Sequence, residues 1–390
     1  MVDYVNNSKV MNRFCDRCQR TNVDGNLWCP EVDCPAEERF PVLVYGDFLG
    51  DLKITKVMRV WRTAALYEAL RGEQKVMVKV AHQSEDSEER LKREAAAFQS
   101  FQHPGWSPFG WLHSFTPGER PLLPELLPPY PVPAKRPYGE ISFRGHTKFY
   151  SVFKLVEGKF LSDLMLENPQ MWHYDAAWIT IALSDALRPM AVQNRCHLCL
   201  TPDMVLVDVD PEGHPRPMLL DLGLIVAGEE IQSIYDWPRM VEPAYTPPEL
   251  LSGTRVKAVA PAADAYALGM LYFEMLAGKP GWEHDLRRDD QIRSAVLQYR
   301  GTLPVDRPEL EKAGVIKAVD RAVAPTSRYN NVVELGSALA AIYGYPPREK
   351  RPWPTKGLLA IPLVIILSLI SIGVVAYFLI QLLPRLLGTH

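Results

Sequence analysis

The sequence carries no excess of either charge. With 43 Lys and Arg against 46 Asp and Glu, a net charge of -3 argues against a nucleic-acid partner, and no basic helix or aromatic-interleaved Lys/Arg patch offsets it. The opening stretch MVDYVNNSKV lacks the apolar centre of a secretory signal. Cysteine is scarce, six residues in all, and confined to two clusters. Glycine is missing from residues 54–67, ITKVMRVWRTAALY, and charge is missing from residues 357–383.

That last absence has the largest consequence for organisation. GLLAIPLVIILSLISIGVVAYFLIQLL, taken as a helix rising 1.5 Å per residue, is roughly 40 Å long, more than the ~30 Å hydrocarbon core of a bilayer. A single-pass transmembrane helix is therefore expected. Lys350, Arg351 and Lys356 precede it and only Arg385 follows, which places the N-terminal domains on the cytoplasmic side. No sensor domain is expected in residues 384–390, beyond the span. The span lacks a small-xxx-small pair, the usual signature of helix dimers, and the oligomeric state stays open.

Four of the cysteines, Cys15, Cys18, Cys29 and Cys34, follow the spacing C-x2-C, ten residues, C-x4-C. Four thiolates on two short turns can meet one tetrahedral Zn2+ at about 2.3 Å, and so small a segment has no other evident means of staying folded. A structural zinc ribbon over residues 1–40 is expected, with an iron site on the same ligands or two disulfides as the competing readings. Cys196 and Cys199 repeat the C-x2-C spacing with no second pair nearby and read as small packed residues.

The strand Lys75-Val76-Met77-Val78-Lys79-Val80-Ala81 alternates as in a half-buried antiparallel sheet. After it comes a helix with Ser87 as its expected N-cap, whose Leu91, Glu94, Phe98 and Phe101 share one face. A carboxylate among inward apolar groups needs a partner, and Lys79 is the evident one. Farther along stand His197-Leu198-Cys199-Leu200-Thr201-Pro202-Asp203-Met204, then Asp221-Leu222-Gly223, then Tyr245-Thr246-Pro247-Pro248-Glu249, then a buried helix opening at Asp264 and ending at Gly278, then Arg328. In this order the segments resemble the eukaryotic-like Ser/Thr protein kinase family over residues 46–344. The resemblance implies an α+β, bilobal protein-kinase-like fold, with Lys79 and Glu94 as the pair that orients the phosphates of ATP and Asp221 as a ligand of Mg2+. It also implies that Arg328 pairs with Glu249. A Pro-rich insertion, PLLPELLPPYPVPAKRPYG, is expected as an extended connection packed on the small lobe.

Several departures from that family weaken catalysis. The glycine-free residues 54–67 stand where the family has its phosphate loop, and Met58, Val60 and Trp61 would obstruct a close backbone approach. Cys199 replaces the catalytic-base aspartate, so no catalytic residue is assigned there. Met204 replaces the asparagine that would hold a second Mg2+, and a thioether is a weak ligand for a hard cation. Thr201 replaces the loop lysine. Leu198 replaces the arginine that receives a phosphorylated activation segment, so phosphate on Ser233, Tyr235 or Thr246 would lack its usual receptor. Asp203 reads as a solvent-facing residue.

The combined expectation is a membrane-anchored pseudokinase with protein partners, a cytoplasmic binding or scaffolding module whose Lys79, Glu94 and Asp221 form a remnant site for ATP with Mg2+. A divergent active Ser/Thr kinase is the first alternative. The second is a docking protein whose zinc ribbon and Pro-rich insertion work from a structural kinase fold. The expected parts are the ribbon at 1–40, the kinase-like domain at 46–344, a basic Pro-containing linker at 345–356, the span at 357–383 and a tail at 384–390.

Overall fold

A computed structural model describes residues 13–16, 19, 21–22, 40–102, 122–131, 134–252, 256–282, 288–298, 305, 307–311 and 314–345. These residues fall within one compact unit, Met1–Ser107 together with Pro121–Pro347. Cys18, Cys29 and Cys34 of the expected ribbon, and the apolar residues 357–383, lie outside the described residues. Among the described residues no helix is long and apolar enough to cross a membrane.

The N-terminal lobe is an antiparallel sheet built on β1 (Leu52–Val60), β2 (Ala64–Arg71), β3 (Gln74–Ala81) and, after the helix α1 (Glu85–Gln102), β4 (Gly139–Phe143) and β5 (His146–Lys154). The register sets Lys79 opposite Leu66 on one side and Ser151 on the other, while Met77 faces Phe153. Side chains alternate across a strand, so Ala64, Leu66, Met77, Lys79 and Phe153 share one face and Ala65, Tyr67, Val76, Val78 and Val152 share the other. Both faces are buried. The second set packs with Val42, Leu43 and Leu49 from the chain before the sheet, which corrects the expectation of a half-buried sheet.

Helix α1 begins earlier than expected. Its cap is Ser84, whose Oγ accepts from the Ser87 N–H at 3.2 Å; Ser87 is buried in the first turn. The inward stripe of Leu91, Glu94 and Phe98 is in place, and it extends one turn back to Arg90. The described part of the Pro-rich insertion is extended, as expected: Leu126–Leu127 pairs with β5, and the Leu122 carbonyl accepts from the Leu219 N–H at 2.9 Å. The insertion thus closes a sheet edge and ties it to the C-terminal lobe.

That lobe is helical, around α2 (His173–Val192), the hairpin β6 (Val205–Val209) and β7 (Pro215–Leu219), α3 (Ala262–Ala277), α4 (Val315–Val323) and α5 (Val332–Tyr343). Helix α3 is buried nearly all round and stops at Gly278, which has φ 70. Arg328 Nη1 meets Glu249 at 2.7 Å. One apolar core crosses between the lobes: Trp61, Leu66, Met77, Phe98 and Phe153 belong to the same cluster as Met204, Leu206, Leu220 and the helices below.

Candidate functional site

The three residues expected to form a remnant site are brought together. Lys79 Nζ lies 2.7 Å from Glu94 Oε1 and also bonds Asp221 Oδ2. Glu94 Oε1 accepts in addition from the Leu222 N–H at 2.8 Å, and Asp221 Oδ1 from the Gly223 N–H at 2.7 Å. The helix glutamate therefore grips both the strand lysine and the loop that carries the aspartate.

A fourth residue completes the cluster, and sequence reasoning missed it. Arg90 stands one helical turn before Glu94 and its Nη2 bonds Asp221 Oδ1. Two cations and two carboxylates thus form a formally neutral quartet. It is sealed: Lys79 and Asp221 are 0% exposed, Glu94 1% and Arg90 2%. Burial alone would raise the Asp221 pKa, but Arg90 and then Lys79 outweigh it and hold the carboxyl well below the usual range. Burial, and then the like charge of Asp221, pushes Glu94 up. Burial also works against the Arg90 charge, yet Asp221 and Glu94 keep it firmly protonated. Arg90 Nε and Nη1 and Glu94 Oε2 have no hydrogen-bond partner among the described residues, so charge pairing rather than full hydrogen bonding holds the cluster.

Trp61 covers it. The connection between β1 and β2 is only residues 61–63, and the Trp61 ring sits 5.0 Å from Lys79 Nζ. Its Nε1 donates to the Asp203 carbonyl at 3.2 Å, and its own carbonyl lies 2.8 Å from His82 Nε2. Burial lowers His82 to about 4, so this ring is neutral at ordinary pH. The flanking arginines fasten the same turn to the other lobe. Arg59 pairs with Asp163 at 2.8 Å and Asp203 at 3.2 Å, and Arg62 with Glu242 at 2.8 Å and Asp289 at 2.5 Å. Asp203 accepts from Ser162 Oγ as well, at 2.7 Å. It is thus a paired, half-buried residue, which corrects the expectation that it faces solvent freely.

The loop of residues 197–204 is held from beneath. Asp264 Oδ2 and Oδ1 accept from the His197 and Leu198 N–H groups at 2.7 and 2.8 Å, and Leu198 has φ 63. Burial raises Asp264 to about 6, with the two N–H bonds opposing. His197 Nε2 lies 2.9 Å from the Asp221 carbonyl, and burial lowers this histidine to about 4. Cys199 is buried, and loss of hydration pushes its thiol up to about 12. A thiol with that pKa stays protonated at neutral pH and is no general base. Met204 packs in the core cluster. Ser233 and Tyr235 are exposed, whereas Thr246 is buried. Cys15 is buried, and the metal-ligand assignment of Cys15, Cys18, Cys29 and Cys34 lies largely outside the described residues.

A cleft of about 120 Å³ remains between the lobes, lined by Trp61, Arg62, Thr63, Cys199, Asp203 and Met204 among others. Lys79, Glu94 and Asp221 do not line it.

Residues 139–317 match the family model described as Protein kinase domain. The serine/threonine-protein kinase PkaA of Streptomyces coelicolor is 29% identical over 33% of this chain and 23% of its own length. The serine/threonine-protein kinase AtPK2/AtPK19 of Arabidopsis thaliana is 30% identical over 48% of this chain and 36% of its own length. The matched regions thus span well under half of these relatives. Among solved structures, a double mutant of the Mycobacterium tuberculosis PknI kinase domain matches with a TM-score of 0.49 and 18% identity, covering 78% of this chain and 100% of that one. The unmutated PknI kinase domain matches with a TM-score of 0.48 and 17% identity, over 77% and 99%. The family-model match and the two curated relatives, taken with the α+β architecture described above, give the chain a kinase-like α+β fold and Ser/Thr kinase homologues.

A protein kinase domain in general uses ATP and Mg2+. The residues in this arrangement do not fit that pair. Asp221 has both oxygens engaged by Arg90, Lys79 and the Gly223 N–H, and no part of it is exposed. Trp61 stands over the lysine that would meet the phosphates.

Proposed function

We propose that this chain is a pseudokinase, a kinase-fold binding or scaffolding module in which an internal arginine has taken the place of the metal. The carrying observation is the buried neutral quartet of Lys79, Arg90, Glu94 and Asp221. A carboxylate that would hold Mg2+ is already neutralised by a guanidinium on the same helix as Glu94, so the lobes stay closed without a nucleotide. The absence of a titratable base at Cys199 and of glycine from residues 54–67 supports the same reading.

The module is further proposed to act through protein partners on the cytoplasmic side of a membrane. That rests on the apolar residues 357–383 and the basic Lys350, Arg351 and Lys356 before them. The zinc ribbon is proposed on the cysteine spacing alone. A divergent active Ser/Thr kinase is the second reading, favoured by the assembly of Lys79, Glu94 and Asp221 and by the Ser/Thr kinase relatives.

Phosphotransfer separates the two. Full-length protein in detergent, incubated with γ-labelled ATP and Mg2+, is expected to label neither itself nor a generic basic substrate above a Lys79→Ala/Asp221→Ala control. Turnover that disappears in the control would establish the divergent kinase instead.

A further inference from the structure

We propose that an uncharged aromatic ledge on the C-terminal lobe rests on the lipid headgroup surface and sets how the domain stands on the membrane. This rests on the membrane anchoring proposed above and adds a second, reversible point of contact to it.

The ledge is made by two stretches. Residues 168–174, Asn-Pro-Gln-Met-Trp-His-Tyr, enter α2, and residues 337–345, Ser-Ala-Leu-Ala-Ala-Ile-Tyr-Gly-Tyr, form the end of α5 together with Gly344 and Tyr345. Neither contains an Asp, Glu, Lys or Arg, in a chain that is 23% charged. Yet both lie at the surface: Trp172 is 55% exposed, Tyr345 57% and Ile342 37%. Exposed chain with no charge and several large side chains is the composition of a contact surface.

The two stretches are locked together. The Trp172 and Tyr174 rings lie 4.8 Å apart, Tyr174 meets Tyr343 edge-on at 5.0 Å, and His173 Nδ1 lies 3.1 Å from the Tyr343 hydroxyl. Met171, just before Trp172, is pinned through its backbone, donating to the Met275 carbonyl at 3.1 Å and accepting from Arg307 at 2.9 Å. The aromatic groups are therefore a rigid platform that needs no further ordering to bind.

The chemistry and the chain path favour lipid over protein. Tryptophan and tyrosine carry an apolar body with a polar tip, the combination that partitions to the level of the headgroups. The chain leaves the domain from the ledge itself, at Tyr345, and reaches the apolar run at Gly357 through residues 346–356, a stretch that spans at most about 40 Å when fully extended. A tether that short gives an effective concentration on the order of millimolar, so even weak interfacial affinity keeps the ledge seated. Arg348, Lys350, Arg351 and Lys356, against the one carboxylate Glu349, add attraction to anionic headgroups over the same span.

The test uses the full chain reconstituted in vesicles of phosphatidylcholine and phosphatidylglycerol, with and without bromine on the acyl chains. A Trp353→Phe background removes the linker tryptophan. In that background brominated lipid is expected to quench part of the emission, and a further Trp172→Phe change is expected to abolish that part. Phenylalanine keeps the ring packing on Tyr174, and an unchanged melting temperature in detergent verifies that the variant is folded. Vesicle flotation is read in parallel. A chain that fails to float refutes the anchor and the ledge together. A chain that floats with quenching unaffected by Trp172→Phe refutes the ledge alone. A Trp172-dependent emission shift that tracks protein concentration in detergent assigns the surface to a second copy of the chain and overturns the lipid proposal.

Discussion

Replacing Arg90 by methionine is expected to cost about 3–5 kcal/mol of folding stability, because the aliphatic volume stays while Asp221 and Glu94 are left sharing Lys79 alone. That corresponds to a fall in melting temperature of roughly 10 °C for a domain of this size. The same variant is expected to recover part of the loss when Mg2+ or Mn2+ is added, since Asp221 then regains a cation, and the recovery should vanish in Arg90→Met/Asp221→Asn. Wild-type protein should show no such response to the metal. Thermal melts of the three proteins across a metal titration read all of this. A penalty below about 1 kcal/mol, or a wild-type response equal to that of Arg90→Met, would mean that the guanidinium does not stand in for a metal.

The second large effect concerns the backbone that presents Asp221. Gly223 has φ 65, and a Cβ built there would lie 2.0 Å from the His197 carbonyl oxygen, the same oxygen that accepts from the Leu224 N–H at 2.9 Å. Neither the contact nor the dihedral suits an L side chain. Gly223→Ala must displace one of the two loops, and both carry buried bonds: His197 through Asp264, Leu222 through Glu94. Dihedral strain of about 1–3 kcal/mol adds to the broken bonds, for a total expected above about 3 kcal/mol. Chemical denaturation should show the midpoint falling with an unchanged slope, and a variant within about 1 kcal/mol of wild type would mean that the loops are not coupled as described.

The parts of the site that are legible in the sequence are those fixed by local pattern. Lys79 sits in an unmistakable strand, Glu94 on the apolar stripe of a helix, and Asp221 close to Gly223, the one residue type that tolerates the turn made there. Trp61 is legible as an obstruction, but not its reach to Asp203, because that bond joins residues far apart in sequence. Arg90 escapes for a different reason. A stripe read forward from Leu91 passes it by, and a lysine or arginine on a helix ordinarily snorkels to water. Carried one turn backward, the same spacing leads from Glu94 to Arg90, so the signal is present in the chain. The strand around Lys79 misleads in the opposite direction: polar residues alternating in the run Lys75–Ala81 imitate the exposed face of a half-buried sheet, when both faces are covered and Lys79 is buried against two carboxylates, Glu94 as expected and Asp221 besides.

Mg2+-dependent binding of ATP by the wild-type chain shows whether Arg90 fills the place of the metal. In a thermal shift titration, a site that admits the nucleotide would gain about 2.7 kcal/mol at a hundredfold excess over its dissociation constant, a shift of several degrees. A closed quartet with Arg90 in the metal's place is expected to give no shift at millimolar ATP, with or without Mg2+. A Mg2+-dependent shift in the wild-type protein would show that Asp221 opens to a metal and that Arg90 does not take its place.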